Sequence, residues 1–219
     1  MCGRFTNKMT WRELHEGYTE FLESMKAPPS NFQPRYNIAP TQDAMVIRKT
    51  DAAGELVSLR WGLIPSWSKG PDPKFTNINA RSETVEKAAP FRAAFKRKRC
   101  LVPASGFYEW RKEGEAKQPY YFYPTKGPAF TFAGLWDSWK GPEGVVESFT
   151  IITTDANEAM RPYHDRMPVI FGADTWEFWL AQGGKELLRP CPDGWLKVRR
   201  VSKRVNSPAQ DDAGLIEAA

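Results

Sequence analysis

The central and C-terminal parts of the chain alternate between short apolar runs of β-strand type and turn residues. The strand-like runs occupy residues 100–103, 106–111, 119–123, 129–136, 146–154, 167–171 and about 195–201. Upstream, residues 44–48 and 56–61 form the pattern of a β-hairpin around a turn at Asp51–Gly54. No regular strand–helix–strand repeat appears. The pattern therefore predicts an α+β fold in one domain, with a curved, mostly antiparallel or mixed, barrel-like sheet and flanking helices.

Three segments carry helical patterns. Thr10 and Glu13 have the spacing of a capping box, and the helix that follows is expected to end before Pro28–Pro29. Its apolar stripe comprises Trp11, Leu14, Tyr18, Phe21, Leu22 and Met25. We also expect a helix over 82–98 that is interrupted or restarted at Pro90, and a short one over 174–182.

Length and composition limit the classes of protein to consider. A chain of 219 residues with 41% hydrophobic residues is long enough for one well-packed domain, which we place at 1–205, with a polar tail at 206–219. Three scattered cysteines and two histidines show neither disulfide nor metal-ligand spacing, so no metal or cofactor is expected. No apolar leader or membrane-length run is present, which predicts a soluble cytoplasmic protein, expected to be a monomer. The net charge of +5 favours anionic partners only slightly.

The chain begins Met1-Cys2-Gly3-Arg4, and removal of Met1 would leave Cys2 with a free amine beside its thiol. An α-amine with a pKa near 7.7–8.0 is partly neutral at physiological pH and attacks aldehydes to form imines. The adjacent thiol then closes a thiazolidine ring at high effective concentration. Alternatively, Cys2 is only a tolerated small residue.

Two further positions have side chains suited to proton transfer. Alternation along Gly106–Gly114 places Glu109 on the apolar face of a strand with Phe107, where a carboxylate is costly to bury and serves as a proton shuttle. The alternative is an edge-strand glutamate that points into solvent. His164 lies in a polar loop beside Asp165 and Arg166, and histidine exchanges protons near neutral pH. Each of these residues, taken singly, is also compatible with a purely structural role.

Several short motifs together resemble one family. They are "MCGRF", "RYNIAP", "WGLIPSW", "INARSET", "CLVPASGFYEW", "HDRMPV" and "VSKRVN". In this order they cover nearly the whole chain and resemble the SOS-response-associated peptidase family, the abasic-site shield proteins. The resemblance implies a sensor and shield of abasic sites in single-stranded DNA, which crosslinks to them as a thiazolidine through Cys2 in the DNA damage response. Replication-fork or SOS-response proteins are further partners that this role implies, with a nucleoid-associated location in a bacterium and a nuclear one in a eukaryote.

The resemblance also implies roles for individual residues. The catalytic residues would be Cys2 as nucleophile, Asn79 as an orienting amide, and Glu109 and His164 as proton-transfer groups. The DNA-binding and pocket-shaping residues would be Arg4, Asn37, Pro40, Trp67, Arg81, Thr153 and Arg166. Thr154 leaves the assignment of Thr153 open, and this chain has Ser68 where some family members carry a second aromatic residue.

Two other functions use the same residues. The first is an N-terminal-nucleophile cysteine peptidase, including self-removal of Met1, so that the enzyme would be of the lyase or hydrolase class. The second is a single-strand-binding module in which Cys2 is incidental and binding depends on basic residues and Trp67.

Overall fold

The predicted hairpin forms as expected and is one part of a larger sheet. The computed structural model describes residues 2–19, 22, 32–49, 54–71 and 77–219. Strands β3 (Asp43–Lys49) and β4 (Gly54–Trp61) pair antiparallel with Val46 opposite Val57. The predicted turn at Asp51–Gly54 lies outside the described residues except for Gly54.

Strands dominate the remaining described chain. They are β1 (Phe5–Asn7), β2 (Arg35–Ile38), β5 (Asn79–Arg81), β6 (Arg99–Ala104), β7 (Gly106–Glu113), β8 (Ala116–Pro124), β9 (Phe130–Gly141), β10 (Gly144–Asp155), β11 (Arg166–Pro168), β12 (Ile170–Phe171) and β13 (Leu196–Arg200). The α-helices are α1 (Trp11–Gly17), α2 (Arg92–Arg97) and α3 (Trp176–Ala181). This mostly β, single-domain architecture confirms the predicted fold class.

Five strands close into a barrel. The order β10-β4-β3-β6-β9 returns to β10 through the antiparallel β9–β10 hairpin, whereas β10 and β4 pair parallel. Strand β5 also runs parallel to β10, with Ile151 opposite Asn79, and β11 pairs antiparallel with the end of β10. The C-terminal part of β10 therefore has β5 and β11 as neighbours, which brings the segments around Asn79 and Arg166 together.

A second, wholly antiparallel sheet has the strand order β13-β8-β7-β1-β2. Its apolar face packs on the barrel: the Phe5 ring contacts Trp61 at 5.0 Å, and the Phe107 ring contacts Phe132 at 5.9 Å between centroids. These residues belong to one buried cluster that also contains Cys2. The chain start is thus enclosed between the two sheets.

The first two predicted helices are shorter than expected. The Thr10–Glu13 capping box is present, but α1 ends at Gly17, and Leu22 forms a bridge with Gly54. The rest of its predicted course, including Pro28–Pro29, lies outside the described residues. Residues 82–90 form successive turns, so only α2 is helical within the predicted 82–98 segment.

The last residues of the chain pack against the second sheet. One-turn 3₁₀ helices form at Lys203–Asn206 and Ala213–Ile216, and the side chains of Leu215 and Ile216 are buried beside Tyr108 and Tyr121. Among the described helices, none has the length and apolar character needed to cross a membrane.

Candidate functional site

Cys2 lies immediately before β1 and is completely buried, with 0% of its surface exposed. Its thiol is 3.9 Å from the main-chain oxygen of Arg4, to which it donates a weak hydrogen bond. Burial raises the pKa of the Cys2 thiol, and the negative charge of Glu109 raises it further. The surroundings therefore favour a neutral thiol over a thiolate.

Asn79 connects this cysteine to the barrel. Because β5 pairs parallel with β10, the Asn79 side chain is held at the junction of the two sheets, and its Nδ2 donates to the main-chain oxygen of Cys2 at 2.9 Å. The Oδ1 atom of Asn79 is enclosed and accepts no hydrogen bond from the described part of the chain. An enclosed acceptor of this kind is costly unless a further donor satisfies it.

Glu109 points inward from β7, as the alternation predicted, and only 3% of its surface is exposed. Strand β1 pairs with β7 in the register Phe5 opposite Phe107, and the main-chain N–H of Tyr108 donates to Arg4 at 3.0 Å. This pairing brings the carboxylate next to the chain start, close enough for its charge to act on Cys2.

His164 reaches the same region through its neighbour Tyr163. The Tyr163 ring packs on Tyr120 at 4.7 Å and on Phe122 at 5.1 Å. Tyr120 is the cross-strand partner of Glu109, so both contacted rings lie on the face of β8 that continues the Glu109 face. The loop that carries His164 is therefore fixed to the sheet that carries the buried carboxylate.

The His164 ring has partners suited to either protonation state. The main-chain N–H of Arg166 donates to Nδ1 at 2.9 Å, which requires an unprotonated nitrogen. The exposed carboxylate of Asp165 lies 2.7 Å from the same nitrogen and would accept a hydrogen bond from it once it is protonated. Such a histidine can change protonation state without losing a hydrogen bond at Nδ1.

Arg166 is held in a network at the end of β11. Its guanidinium donates to both carboxylate oxygens of Glu83 (2.5 and 3.0 Å), to Asp155 at 2.8 Å, and to the main-chain oxygen of Thr153 at 2.7 Å. The predicted phosphate-binding group is thus already engaged, and its role at a phosphate stays a prediction. Thr153 itself is buried, and its hydroxyl donates weakly to the Ala80 carbonyl at 3.5 Å.

Arg4 and Asn37 bind the C-terminal segment. Asn37 is fully buried, its Oδ1 accepts from Arg4 at 2.7 Å, and its Nδ2 lies within hydrogen-bonding distance of three main-chain carbonyls. Those carbonyls belong to Val205, Ser207 and Gln210. Arg4 also donates to Val205 at 2.7 Å, and partial burial lowers the pKa of its guanidinium. Both side chains therefore tie the N-terminal segment to the C-terminal one, and their role in shaping the DNA pocket stays a prediction.

The remaining predicted residues lie nearer the surface. Arg81, at the end of β5 opposite Thr153, is exposed, and its side chain makes no hydrogen bond or ion pair with any described residue. Trp67 is 64% exposed in the loop after β4. Pro40 is half-buried at a turn after β2. The structure thus brings together Cys2, Asn79 and Glu109 most closely.

Two aromatic residues at this site were missed from the sequence. Tyr120 and Tyr163 hold the His164 loop against the Glu109 face, and the Arg111 guanidinium lies over both rings at 4.9 and 5.3 Å. Tyr163 immediately precedes His164, which is a signal that was available in the sequence. The position of Tyr120 depends on the register of β7 and β8, which the sequence pattern did not indicate.

The sequence matches one known protein family over nearly its whole length. The model of the SOS response associated peptidase (SRAP) family matches residues 1–208. The chain therefore belongs to that family, and the resemblance noted from its motifs is confirmed.

Two relatives from one bacterium cover the full chain, and a vertebrate relative covers part of it. The abasic site processing proteins YoaM and YoqW of Bacillus subtilis are 36% and 37% identical, covering 100% of this chain and 98% and 100% of their own. The abasic site processing protein HMCES of Xenopus tropicalis is 38% identical over 65% of this chain and 52% of its own. The crystal structure of a protein from Bacteroides thetaiotaomicron aligns with a TM-score of 0.88 at 27% identity, over 100% of both chains.

Proposed function

We propose that this protein processes abasic sites in single-stranded DNA by forming a thiazolidine between Cys2 and the ring-opened sugar. The observation that carries the proposal is the enclosed Cys2, whose carbonyl is held by Asn79 and whose thiol lies within the field of Glu109. The names of the full-length relatives support abasic-site processing as the general role.

The reaction needs a free amine on Cys2, and hence hydrolysis of the Met1–Cys2 peptide bond, which consumes one water. The neutral amine attacks C1′ of the open-chain sugar aldehyde and forms a carbinolamine, which loses water to give an imine. The Cys2 sulfur then adds to the imine carbon and the nitrogen gains a proton, which closes the ring. Aldehyde and aminothiol thus become thiazolidine and one water, with no oxidant or reductant. Intramolecular closure makes the second addition fast.

Glu109 and His164 are assigned to the proton transfers. Because the thiol pKa is raised, sulfur needs a base at the moment of attack, and the Glu109 carboxylate is the charged side chain that acts most strongly on this thiol. His164, with an N–H donor and a carboxylate acceptor beside Nδ1, is suited to protonate the carbinolamine hydroxyl, which then leaves as water, or the ring oxygen of the sugar. Asn79 holds the Cys2 backbone, and its enclosed Oδ1 is available to a hydroxyl of the sugar or to the new amine.

Arg81 and Trp67 are assigned to the DNA strand beside the reacting sugar. The Arg81 guanidinium is exposed and has no partner among the described residues, so it can bind a phosphate without breaking an ion pair. The exposed indole of Trp67 offers a stacking surface for a base.

Intact-mass spectrometry tests the proposal. The purified protein is measured before and after mixing with a single-stranded oligodeoxynucleotide that carries one abasic site. We expect loss of one methionine residue, and then a gain of the oligonucleotide mass minus one water. Cys2→Ala is expected to give no stable adduct, whereas Cys191→Ala, which removes a buried free cysteine in the middle of the chain with no α-amine beside its thiol, should give the wild-type adduct. An adduct that persists in Cys2→Ala, or none in wild type, contradicts the proposal.

A second candidate function is cleavage of the Met1–Cys2 bond by the protein itself. The description of the family as a peptidase and the proximity of Glu109 to Cys2 favour it. In cell-free synthesis without methionine aminopeptidase, self-cleavage predicts loss of Met1 from wild type and retention in Glu109→Gln. Retention of Met1 in both proteins would exclude it.

A further inference from the structure

The loop after β4 presents one aromatic residue to solvent. Trp67 is 64% exposed, although its neighbours in sequence from Trp61 to Pro65 are buried. An indole in this position adds little to the stability of the fold, since the free energy available from burying it is not realised. The exposed ring is therefore accessible to a binding partner.

Both residues that flank Trp67 are bound to the same strand. The main-chain N–H of Ser66 donates to Oδ2 of Asp137 at 2.8 Å, and the indole Nε1 of Trp139 donates to the main-chain oxygen of Ser68 at 2.9 Å. Asp137 and Trp139 are two residues apart on β9 and so project from the same face of it. The loop is thereby fixed immediately before and immediately after the exposed tryptophan.

The two anchoring side chains are themselves fixed. Asp137 is buried and its Oδ1 accepts from Lys98 at 2.7 Å and from the N–H of Ser138 at 2.9 Å. The Trp139 ring packs against Gly70, where an added Cβ would lie 3.5 Å from the ring. The loop also closes on itself, because the Ser68 N–H donates to the Pro65 carbonyl at 2.9 Å.

We propose that Asp137 and Trp139 are positioning residues that preorganise Trp67 to stack on a base next to the abasic sugar. The inference rests on the proposed function and adds to it the groups that set the geometry of DNA stacking. A loop that becomes ordered only on binding loses conformational entropy at that step, which lowers the affinity. A loop that two side chains already hold in place has lost this entropy during folding.

The chain offers a matched pair of substitutions on β9. Trp139→Phe keeps an aromatic ring over Gly70 but deletes the indole N–H that binds Ser68. Trp136→Phe makes the same change three residues earlier, where the indole Nε1 is buried without a hydrogen-bond partner in the described chain. Affinity is measured by anisotropy with a single-stranded oligonucleotide that carries a tetrahydrofuran abasic analogue, which has no aldehyde and cannot crosslink. A 2-aminopurine beside the analogue reports stacking by its fluorescence lifetime.

We expect Trp139→Phe to weaken binding about two- to tenfold, because it removes one hydrogen bond that orders the loop. The fluorescence lifetime of 2-aminopurine should also lengthen. Trp136→Phe should match wild type in both readings. In a Trp67→Ala background the Trp139→Phe change should have no further effect on affinity, because the group it positions is absent. Equal losses with and without Trp67, or wild-type stacking in Trp139→Phe, would overturn the inference.

Failure of the proposed function gives a different result. If wild type forms no adduct with an authentic abasic site, the covalent role is wrong, whatever the lifetimes show. If wild type forms the adduct and Trp67→Ala weakens binding while Trp139→Phe does not, the covalent role stands and the positioning role of β9 is wrong.

Discussion

The side-chain amide of Asn79 donates to the main-chain carbonyl of Cys2 at 2.9 Å, and this bond links the two sheets of the molecule. Asn79 is in β5, which extends the barrel, whereas the segment that begins at Cys2 leads into β1 of the second sheet. The position of the chain start relative to Glu109 therefore depends on one amide as well as on the β1–β7 pairing.

Asn79→Ala removes that donor and should slow formation of the DNA adduct about 10- to 100-fold, because a reacting group misplaced by about 1 Å costs a rate of this order. Affinity for the tetrahydrofuran oligonucleotide should stay close to wild type, since the predicted DNA contacts of Arg81 and Trp67 remain. Single-turnover crosslinking on denaturing gels measures the rate. A wild-type rate in Asn79→Ala would show that the amide does not position Cys2.

Arg81→Ala should weaken binding to single-stranded DNA and reduce its dependence on salt. Each phosphate contact contributes about 0.7 to the slope of log affinity against log salt concentration, so the slope should fall by about that amount. Arg92→Ala, which removes an exposed arginine from α2, is the control. Titrations at several salt concentrations measure both slopes, and equal slopes for wild type and Arg81→Ala would contradict a phosphate contact.

Arg166→Lys should lower the free energy of unfolding by about 1–3 kcal/mol, because an ammonium group does not reproduce the forked contacts with Glu83, Asp155 and the Thr153 carbonyl. Both carboxylates are largely open to solvent, which keeps the expected loss moderate. The same change at Arg81, whose side chain has no partner in the described structure, should stay within about 0.5 kcal/mol. Urea denaturation measures the free energy of unfolding of both variants. Equal values for the two would show that the Arg166 network does not stabilise the fold.

The buried thiols should make the fold less stable in alkali. Burial raises the pKa of Cys100, and the charge of Arg48 offsets only part of that effect. An unfolded thiol loses its proton above about pH 8.5 while the buried thiol keeps it, so the unfolded state binds fewer protons and stability falls as the pH rises. Below about pH 8.5 the thiol of Cys100 keeps its proton in both states, so it does not lower the free energy of unfolding there.

Cys100→Ala removes one such group, so between pH 7 and 10.5 it should lose about 2–3 kcal/mol less stability than wild type. Val102→Ala, a truncation on the same strand without a titrating group, should keep the wild-type pH dependence. Urea denaturation at intervals across this range gives the slopes. Parallel pH profiles for wild type and Cys100→Ala would refute the assignment.

Local pattern was sufficient to predict parts of the candidate site. Alternation along β7 predicted that Glu109 shares the inward face with Phe107, and both are buried. The strands predicted after β7 were also found, and their ends lie within a few residues of the predicted ones. Each is a short apolar segment ended by turn residues, which a local pattern can indicate. Closure of the barrel through a parallel β10–β4 pair is a long-range arrangement that no local pattern contains.

The partners of Arg4 and Asn37 were beyond prediction for a physical reason. Both side chains bind main-chain carbonyls near Val205, and every residue has a carbonyl, so the identity of the partner residues carries no signal.

The prediction of a helix over 82–98 was wrong in its first half, also because of contacts that are distant in sequence. The Ser82 N–H donates to the Thr153 carbonyl and the Glu83 side chain binds Arg166, so tertiary contacts hold the start of this segment in turns.

The hydrogen bonds from Arg4 and Asn37 to Val205, Ser207 and Gln210 also affect the timing of synthesis. A ribosome that adds 5–20 residues per second needs about 10 to 45 s to reach these last partners. Until then Arg4 and Asn37 lack the carbonyls that they bind in the folded protein. A polypeptide released early by a premature stop codon would therefore carry Cys2 and β1 without the hydrogen bonds that tie this segment to residues 205–210.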